Sequence, residues 1–323
     1  MPESTPNTMP SLDPVILFFL FGLVAGLLRS ELKLPSALYE SLTIFLLLAI
    51  GLKGGQGLTT QPLVPLVPQL VAVIALGSVQ TLIAFVCLRS AFGFDRQNAA
   101  ATAAHYGSVS VATFAVAVSW FASRNIDVEP QMAALLAVME IPAILVGIVL
   151  ARGVDKNTDW KALSHEAFLG KGVTLLLGGM AIGWAAGPEG LKPISGLYFD
   201  LFKAILALFL LEMGLIVSRQ VGEIRRRGLS LITFGIGMPL VSAALGLGTG
   251  WLLGFSVGGT AMLATLAASA SYIAVPAAMR IAVPQANPAV SLAGSLGVTF
   301  PFNIIAGIPL YHWMATRLAG ATP

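Results

Sequence analysis

Ten apolar runs, at 14–29, 35–55, 63–88, 96–120, 132–152, 171–187, 193–218, 229–254, 257–279 and 291–317, decide most of what this chain can become. A helix needs about 20 apolar residues to cross the roughly 30 Å hydrocarbon layer of a membrane. Each run must be helical where it meets lipid, because irregular backbone there leaves polar groups unpaired. Composition agrees. Of the 323 residues 56% are hydrophobic and 10% charged, with a mean hydropathy of +0.86. A soluble domain carries about 25% charged residues, so a soluble enzyme, a disordered regulator and a disulfide-stapled secreted domain are all excluded. The single cysteine, Cys87, sits in an apolar run and can form neither an internal disulfide nor a cysteine metal cluster. Pro14 suits the opening turn of the first run. Residues 1–13 carry no positive charge and no small-residue cleavage site follows, so this run reads as a span rather than a signal peptide.

Basic residues on one side of the membrane set the orientation of such a chain. With the N-terminus outside, the inner connections hold Arg29, Lys33, Arg89, Arg96, Arg152, Lys156, Lys161, Lys171, Arg219, Arg225, Arg226, Arg227 and Arg280, which is 13 of the 18 basic residues. The outer connections and the C-terminus hold Lys53, Arg124, Lys192 and Arg317. Both termini are therefore expected outside. The basic balance serves topology, with contact to anionic lipid at Arg225–Arg227, and gives no reason to invoke nucleic acid.

The most polar connection divides the runs into two sets of five. It predicts a first five-helix repeat over 1–153, a cytoplasmic connection over 154–170 and a second repeat over 171–323. Similar segments occur at corresponding places. The second run, PSALYESLTIFLLLAIGL, and the seventh, PISGLYFDLFKAILALFLLEMGL, share Pro, Leu-Tyr and a closing Gly-Leu. The fifth, IPAILVGIVL, and the tenth, PFNIIAGIPL, share Gly-Ile-x-Leu. The fourth carries HYGSVSVATFA and the ninth AASASYIAVPA. Five is an odd number, so the second copy must be inverted relative to the first. That is the architecture of a secondary transporter with its site near the bilayer midplane.

Runs four and nine have the wrong interiors for lipid. Gly107, Ser108, Val109 and Ser110 interrupt the fourth, while Thr265, Ser269, Ala270, Ser271, Tyr272 and Pro276 interrupt the ninth. Proline removes an N–H and leaves a carbonyl one turn earlier unpaired, and serines compete for the backbone. Two broken, crossing helices then present N-terminal ends to a small anion and C-terminal ends and hydroxyls to a cation. The plainer reading is that small and hydroxyl residues permit close packing.

Intramembrane ionisable residues are expensive and need a reason. Glu140 reads as a coordinating carboxylate or a buried acid, and Asn303 as a cation ligand or the holder of a kink. Glu40 and Glu212 fall in a scaffold half, where they suit subunit contacts. Asp200 and Lys203 neutralise each other on one helical face, and His105 reads as a bridge to a neighbouring helix or a substrate contact. No nucleotide-binding or metal-binding motif is present. No cofactor is expected.

The segments AHYGSVSVATF, VMEIPAILVGIVLA, TLAASASYIAVPAAMR and SLGVTFPFNIIAGIPLY, with LPSALYESLTIFLLLAIGLKGG, resemble the signature stretches of the sodium-dependent bicarbonate permeases. The resemblance runs from about residue 15 to 317. It implies an all-α membrane protein of ten transmembrane helices in two inverted five-helix repeats, with core and gate domains and a homotrimeric assembly. It implies Na⁺-coupled uptake of bicarbonate by alternating access across the plasma membrane. Carried over by position, Gly107, Ser108, Val109, Ser110, Ala270, Ser271 and Tyr272 form the anion site. Thr265, Ser269, Glu140 and Asn303 form the sodium shell. Some members are inhibited by a cytosolic PII-like protein; the short connection between the halves here speaks against that partner. The alternatives are a symporter of another small anion, a cation/proton antiporter on the same fold and, remotely, an intramembrane hydrolase using Ser108 with His105. Runs four and nine hold no Asp or Glu for an antiporter.

Overall fold

The computed structural model describes residues 13–59, 64–153, 165 and 169–320. Most of the 154–170 connection, with Lys156 and Lys161, lies outside the described residues. Among the described residues every regular element is helical: α1 (Pro14–Leu27), α2 (Ser36–Leu58), α3 (Leu66–Ser90), α4 (Arg96–Gly107), α5 (Val111–Ala122), α6 (Met132–Arg152), α7 (Lys171–Ser195), α8 (Phe202–Arg227), α9 (Leu229–Leu252), α10 (Val257–Ala268), α11 (Ala274–Ala282) and α12 (Pro288–Gly320). The starts are written locally. Asp13 accepts the Val15 N–H at 3.1 Å and Pro14 opens α1, where a missing N–H costs nothing.

Seven helical stretches are long and apolar enough to cross a membrane, and α1 and α10 are shorter apolar helices. Three local effects bring the ten expected runs to this count among the described residues, the first being the shortness of α1. Residues 171–227 form one nearly continuous helical stretch, in which Gly187, at φ +60°, interrupts α7. The ninth run is cut into α10 and α11, neither long enough to span alone.

Side-chain pairings show that the 171–227 stretch reverses. Lys171 lies 3.7 Å from Glu40, and Gly179 packs on Gly51, so the first part of α7 runs parallel to α2. Further on, Tyr198 stacks on Phe45 at 5.1 Å and Phe209 on Tyr39 at 5.5 Å. There the numbering along α2 falls as the chain advances, so α8 runs antiparallel to α2. α8 is in turn parallel to α1, through Asp13–Lys203 at 3.3 Å and the approach of Gly22 to Leu211.

Both parallel pairs are closed by small residues four apart. Gly22 lies on the Leu211 carbonyl and Gly214 on that of Phe19. In the other pair Gly55 lies on the Met180 carbonyl and Gly183 on that of Leu52. A Cβ at any of the four would overlap the facing carbonyl. Removing the side chain lets backbones touch, which is how helices gain dispersion energy where lipid offers no hydrophobic drive. Of the Gly-Leu dipeptides shared by runs two and seven, Gly214 makes one of these contacts itself, while Gly51 lies one turn before Gly55, against the Leu176 carbonyl and Gly179.

The remaining helices bracket the two broken ones. α3 packs against α4 and α6, while α9 packs against α10. α12 follows α10 and carries two π-helical stretches, Ala293–Thr299 and Asn303–Gly307, on either side of Phe300–Phe302. Pro301 removes one ladder donor there, and such bulges recur at functional sites.

Candidate functional site

α4 and α10 start alike. Gly93 (φ +65°) precedes Phe94 and Asp95, and Gly254 (φ +71°) precedes Phe255 and Ser256. Asp95 accepts the Asn98 N–H at 2.9 Å and Ser256 accepts the Gly259 N–H at 3.0 Å, each capping three residues ahead. Glu129 adds its carboxylate to the Ser256 backbone and hydroxyl, stabilising the positive end of α10. Both helices are twelve residues long. At 1.5 Å per residue that is about 18 Å, so each ends well inside a layer of roughly 30 Å.

The breaks follow from local chemistry. After Gly107 the chain is extended at Ser108 (φ −95°, ψ 179°) and Ser110 (φ −112°, ψ 114°), and the Ser110 hydroxyl then caps α5 by accepting the Thr113 N–H at 3.1 Å. After Ala268 it is extended at Ser269 (φ −79°, ψ 168°), and α11 resumes at Ala274 with Pro276 in its first turn. Ser271 caps α11 loosely, its hydroxyl 3.4 Å from the Val275 N–H. Gly107 is required where it stands: a Cβ would strike the Thr81 hydroxyl of α3.

The two breaks lie against each other. The Ser110 N–H donates to the Ser269 hydroxyl at 2.8 Å, and the Ser271 N–H donates to the His105 carbonyl at 2.8 Å. His105 returns the contact through Nδ1, 2.6 Å from the Ser271 carbonyl. A carbonyl can only accept, so Nδ1 carries the proton. Of the two sequence readings of this histidine, the structure shows the bridge.

All seven expected anion-site residues, Gly107, Ser108, Val109, Ser110, Ala270, Ser271 and Tyr272, fall in or beside these breaks and are buried. The Ser108 hydroxyl has no hydrogen-bond partner among the described residues. The Tyr272 ring packs edge-on against Phe300 at 5.6 Å, and its hydroxyl faces Ser110 without a well-formed hydrogen bond.

The expected sodium set is only partly assembled. Ser269 is in the crossing, its own proton given to the Leu266 carbonyl at 2.7 Å. Thr265 lies one turn back on α10 and donates to the Ala261 carbonyl at 2.8 Å. Asn303 donates to the Ala268 carbonyl at 2.8 Å and accepts from the Tyr311 hydroxyl at 2.8 Å. Glu140 stands apart. It is buried, but its carboxylate faces Gly172 of α7, whereas Met139 and Pro142 of the same helix face Gly77 of α3.

Several residues of this region escaped the sequence reading. Gln80 of α3 donates its amide to the Ala267 carbonyl at 3.1 Å. Tyr106 of α4 donates to Thr299 of α12 at 2.8 Å, and Thr299 passes its own proton to the Gly235 carbonyl at 2.7 Å. A glutamine inside an apolar run was the one available signal; the tyrosine–threonine chain had none.

A cavity of about 990 Å³ extends from the α5 side of the crossing toward residues 125–130 and is lined by no residue of either break. Phe114, one turn beyond Ser110, lines it together with Ile50, Tyr198 and Met262, and Lys53 and Lys203 stand among its polar residues. Among the described residues no three His, Cys, Asp or Glu side chains gather to hold a metal ion. A hard monovalent cation here would meet carbonyl and hydroxyl oxygens.

Comparison with known families decides the class. The family model of the Na⁺-dependent bicarbonate transporter superfamily matches residues 14–316. The chain belongs to that superfamily. It is a multi-pass membrane transporter whose substrate and coupling ion are bicarbonate and Na⁺, and it is not an enzyme. No curated protein matches the chain.

Proposed function

We propose that the protein takes up bicarbonate together with Na⁺ by alternating access, with the anion held where the two broken helices meet. The observation that carries this reading is the reciprocal contact of the Ser108–Ser110 and Ser269–Ser271 breaks, at the inner ends of two twelve-residue half-helices. HCO₃⁻ is small and singly charged, and no Arg or Lys lies in either break. Its charge is met by the first-turn N–H groups of α5 and α11, where the helix dipoles are positive, and by the co-bound cation. Ser108, Ser110 and Ser271 supply directional hydrogen bonds. Thr265, Ser269 and Asn303 supply sodium ligands; Glu140, which faces α7, is left out of that set.

The inverted repeat is supported by the pairings. α1 runs with α8 and α2 with the first part of α7, while α7 and α8 oppose each other. The first helix of one half is therefore antiparallel to the first helix of the other, as inversion requires. We assign α1, α2, α7 and α8 to a gate domain and the other helices to a core. Both termini then face outward, the cavity beside Phe114 opens to the outside, and three copies assemble in the plasma membrane through gate surfaces. The absence of acids from both breaks favours a symporter over a cation/proton antiporter. The test is labelled bicarbonate uptake into proteoliposomes with nitrate, acetate and larger carboxylates as competitors. Competition by bicarbonate alone supports the assignment; full competition by acetate or nitrate makes the chain a general small-anion symporter.

A further inference from the structure

The two half-helix C-termini converge on one helix. α3 touches the end of α4 through Thr81, whose hydroxyl lies against Gly107, and the end of α10 through Gln80, one residue earlier, whose amide reaches the Ala267 carbonyl at 3.1 Å. Helix C-termini carry partial negative charge and their last carbonyls lack intrahelical donors. This corner of the crossing is therefore polarised for a cation, opposite in sense to the N-terminal ends of α5 and α11.

Gln80 is 1% exposed. The orientation of its amide is fixed by chemistry, because the Ala267 carbonyl can only accept and must face the NH₂ group. That leaves Oε1 as a buried acceptor, and no donor reaches it. A second oxygen without a partner among the described residues, the Ser108 hydroxyl at 1% exposure, sits on the residue that follows the end of α4. Buried acceptors in an apolar region are costly to leave unmet, and a cation is the partner that would meet carbonyl, amide and hydroxyl oxygens together.

We propose that Gln80 is an oxygen ligand of the coupling cation, bound between the C-terminal ends of α4 and α10. The Ser108 hydroxyl then stands between the two substrates, its lone pairs toward the cation and its proton toward the anion. This rests on Na⁺-coupled transport through the crossing and adds a ligand from α3, outside both breaks.

The test uses the purified full-length protein, with NaCl against KCl as the probe. Two readouts are taken: the Na⁺-dependent shift in melting temperature without bicarbonate, and the half-saturating Na⁺ concentration for bicarbonate uptake. Gln80→Leu removes both the oxygen and the amide donor, and Gln80→Glu keeps oxygens while losing the donor. The expected result for Gln80→Leu is a loss of the Na⁺ shift and a Na⁺ requirement raised tenfold or more, with the bicarbonate KM at saturating Na⁺ within about twofold of wild type. Gln80→Glu should retain the shift. A Na⁺ requirement unchanged in Gln80→Leu, or a Gln80→Glu protein as impaired as Gln80→Leu, overturns the proposal and leaves Gln80 as a holder of the Ala267 carbonyl. Aggregation of both variants with and without Na⁺ counts the same way. Absence of any Na⁺ shift in the wild type would instead overturn Na⁺ binding at the crossing itself.

Discussion

The hydroxyl with the least to do in the resting protein is the most informative one. That of Ser108 has no hydrogen-bond partner among the described residues, whereas Ser110 caps α5 and Ser271 touches α11. A hydrogen bond to a charged group is worth about 1.5–3 kcal/mol, so Ser108→Ala should weaken bicarbonate binding about tenfold or more while leaving the melting temperature within error. Ser110→Ala should lower both affinity and stability, the latter by about 1 kcal/mol for the lost cap. Equal stability losses in the two variants would contradict the assignment. His105→Ala leaves the Ser271 carbonyl buried without its ring donor and should cost about 1–3 kcal/mol, read by thermal unfolding in detergent. Serines in an apolar run are conspicuous, and so the two helix breaks were legible. The ties that hold them were not: Gln80 and Ala267 are 187 residues apart, and Tyr106 and Thr299 are 193 apart. Glu140 shows the opposite failure. Its chemistry was visible in the sequence, but not its direction around α6, which turns it toward Gly172.

Helix ends and helix crossings carry the second level of information. Gly107 marks where the first helix stops, whereas the second stops at Ala268 and Pro276 falls in the first turn of the helix that resumes after the break. The sixth run ends at 187 in the sequence, and the structure interrupts the helix at Gly187 although the helix resumes directly after it. The shared Gly-Leu of the second and seventh runs held more than similarity, since both glycines lie where helices touch. Gly55→Leu and Gly214→Leu each place a side chain on a facing carbonyl and should lower the melting temperature to a similar degree, measured by thermal unfolding of the purified protein. A neutral Gly214→Leu beside a damaging Gly55→Leu would break the equivalence of the two pairs.

Across the whole molecule, orientation and coupling are what remain to be measured. Cys87 is the only native thiol, so a Cys87→Ala background permits clean labelling. His165→Cys should react with a membrane-impermeant maleimide only from the cytosol, and Gly320→Cys only from outside; the reverse pattern would turn the topology over. Thirteen basic residues on one side led to the expected orientation that this labelling tests, while the meeting of two breaks 159 residues apart (Ser110 and Ser269) emerges only from the folded chain. The central claim is that the crossing couples the two solutes. Its most direct measurement is accumulation of labelled bicarbonate in proteoliposomes under an imposed inward Na⁺ gradient, at zero membrane potential. Bicarbonate should rise above its equilibrium level only while the Na⁺ gradient lasts, and Ser108→Ala with Ser271→Ala should abolish that rise. Equal accumulation with K⁺ in place of Na⁺, or an undiminished rise in the double variant, would contradict it.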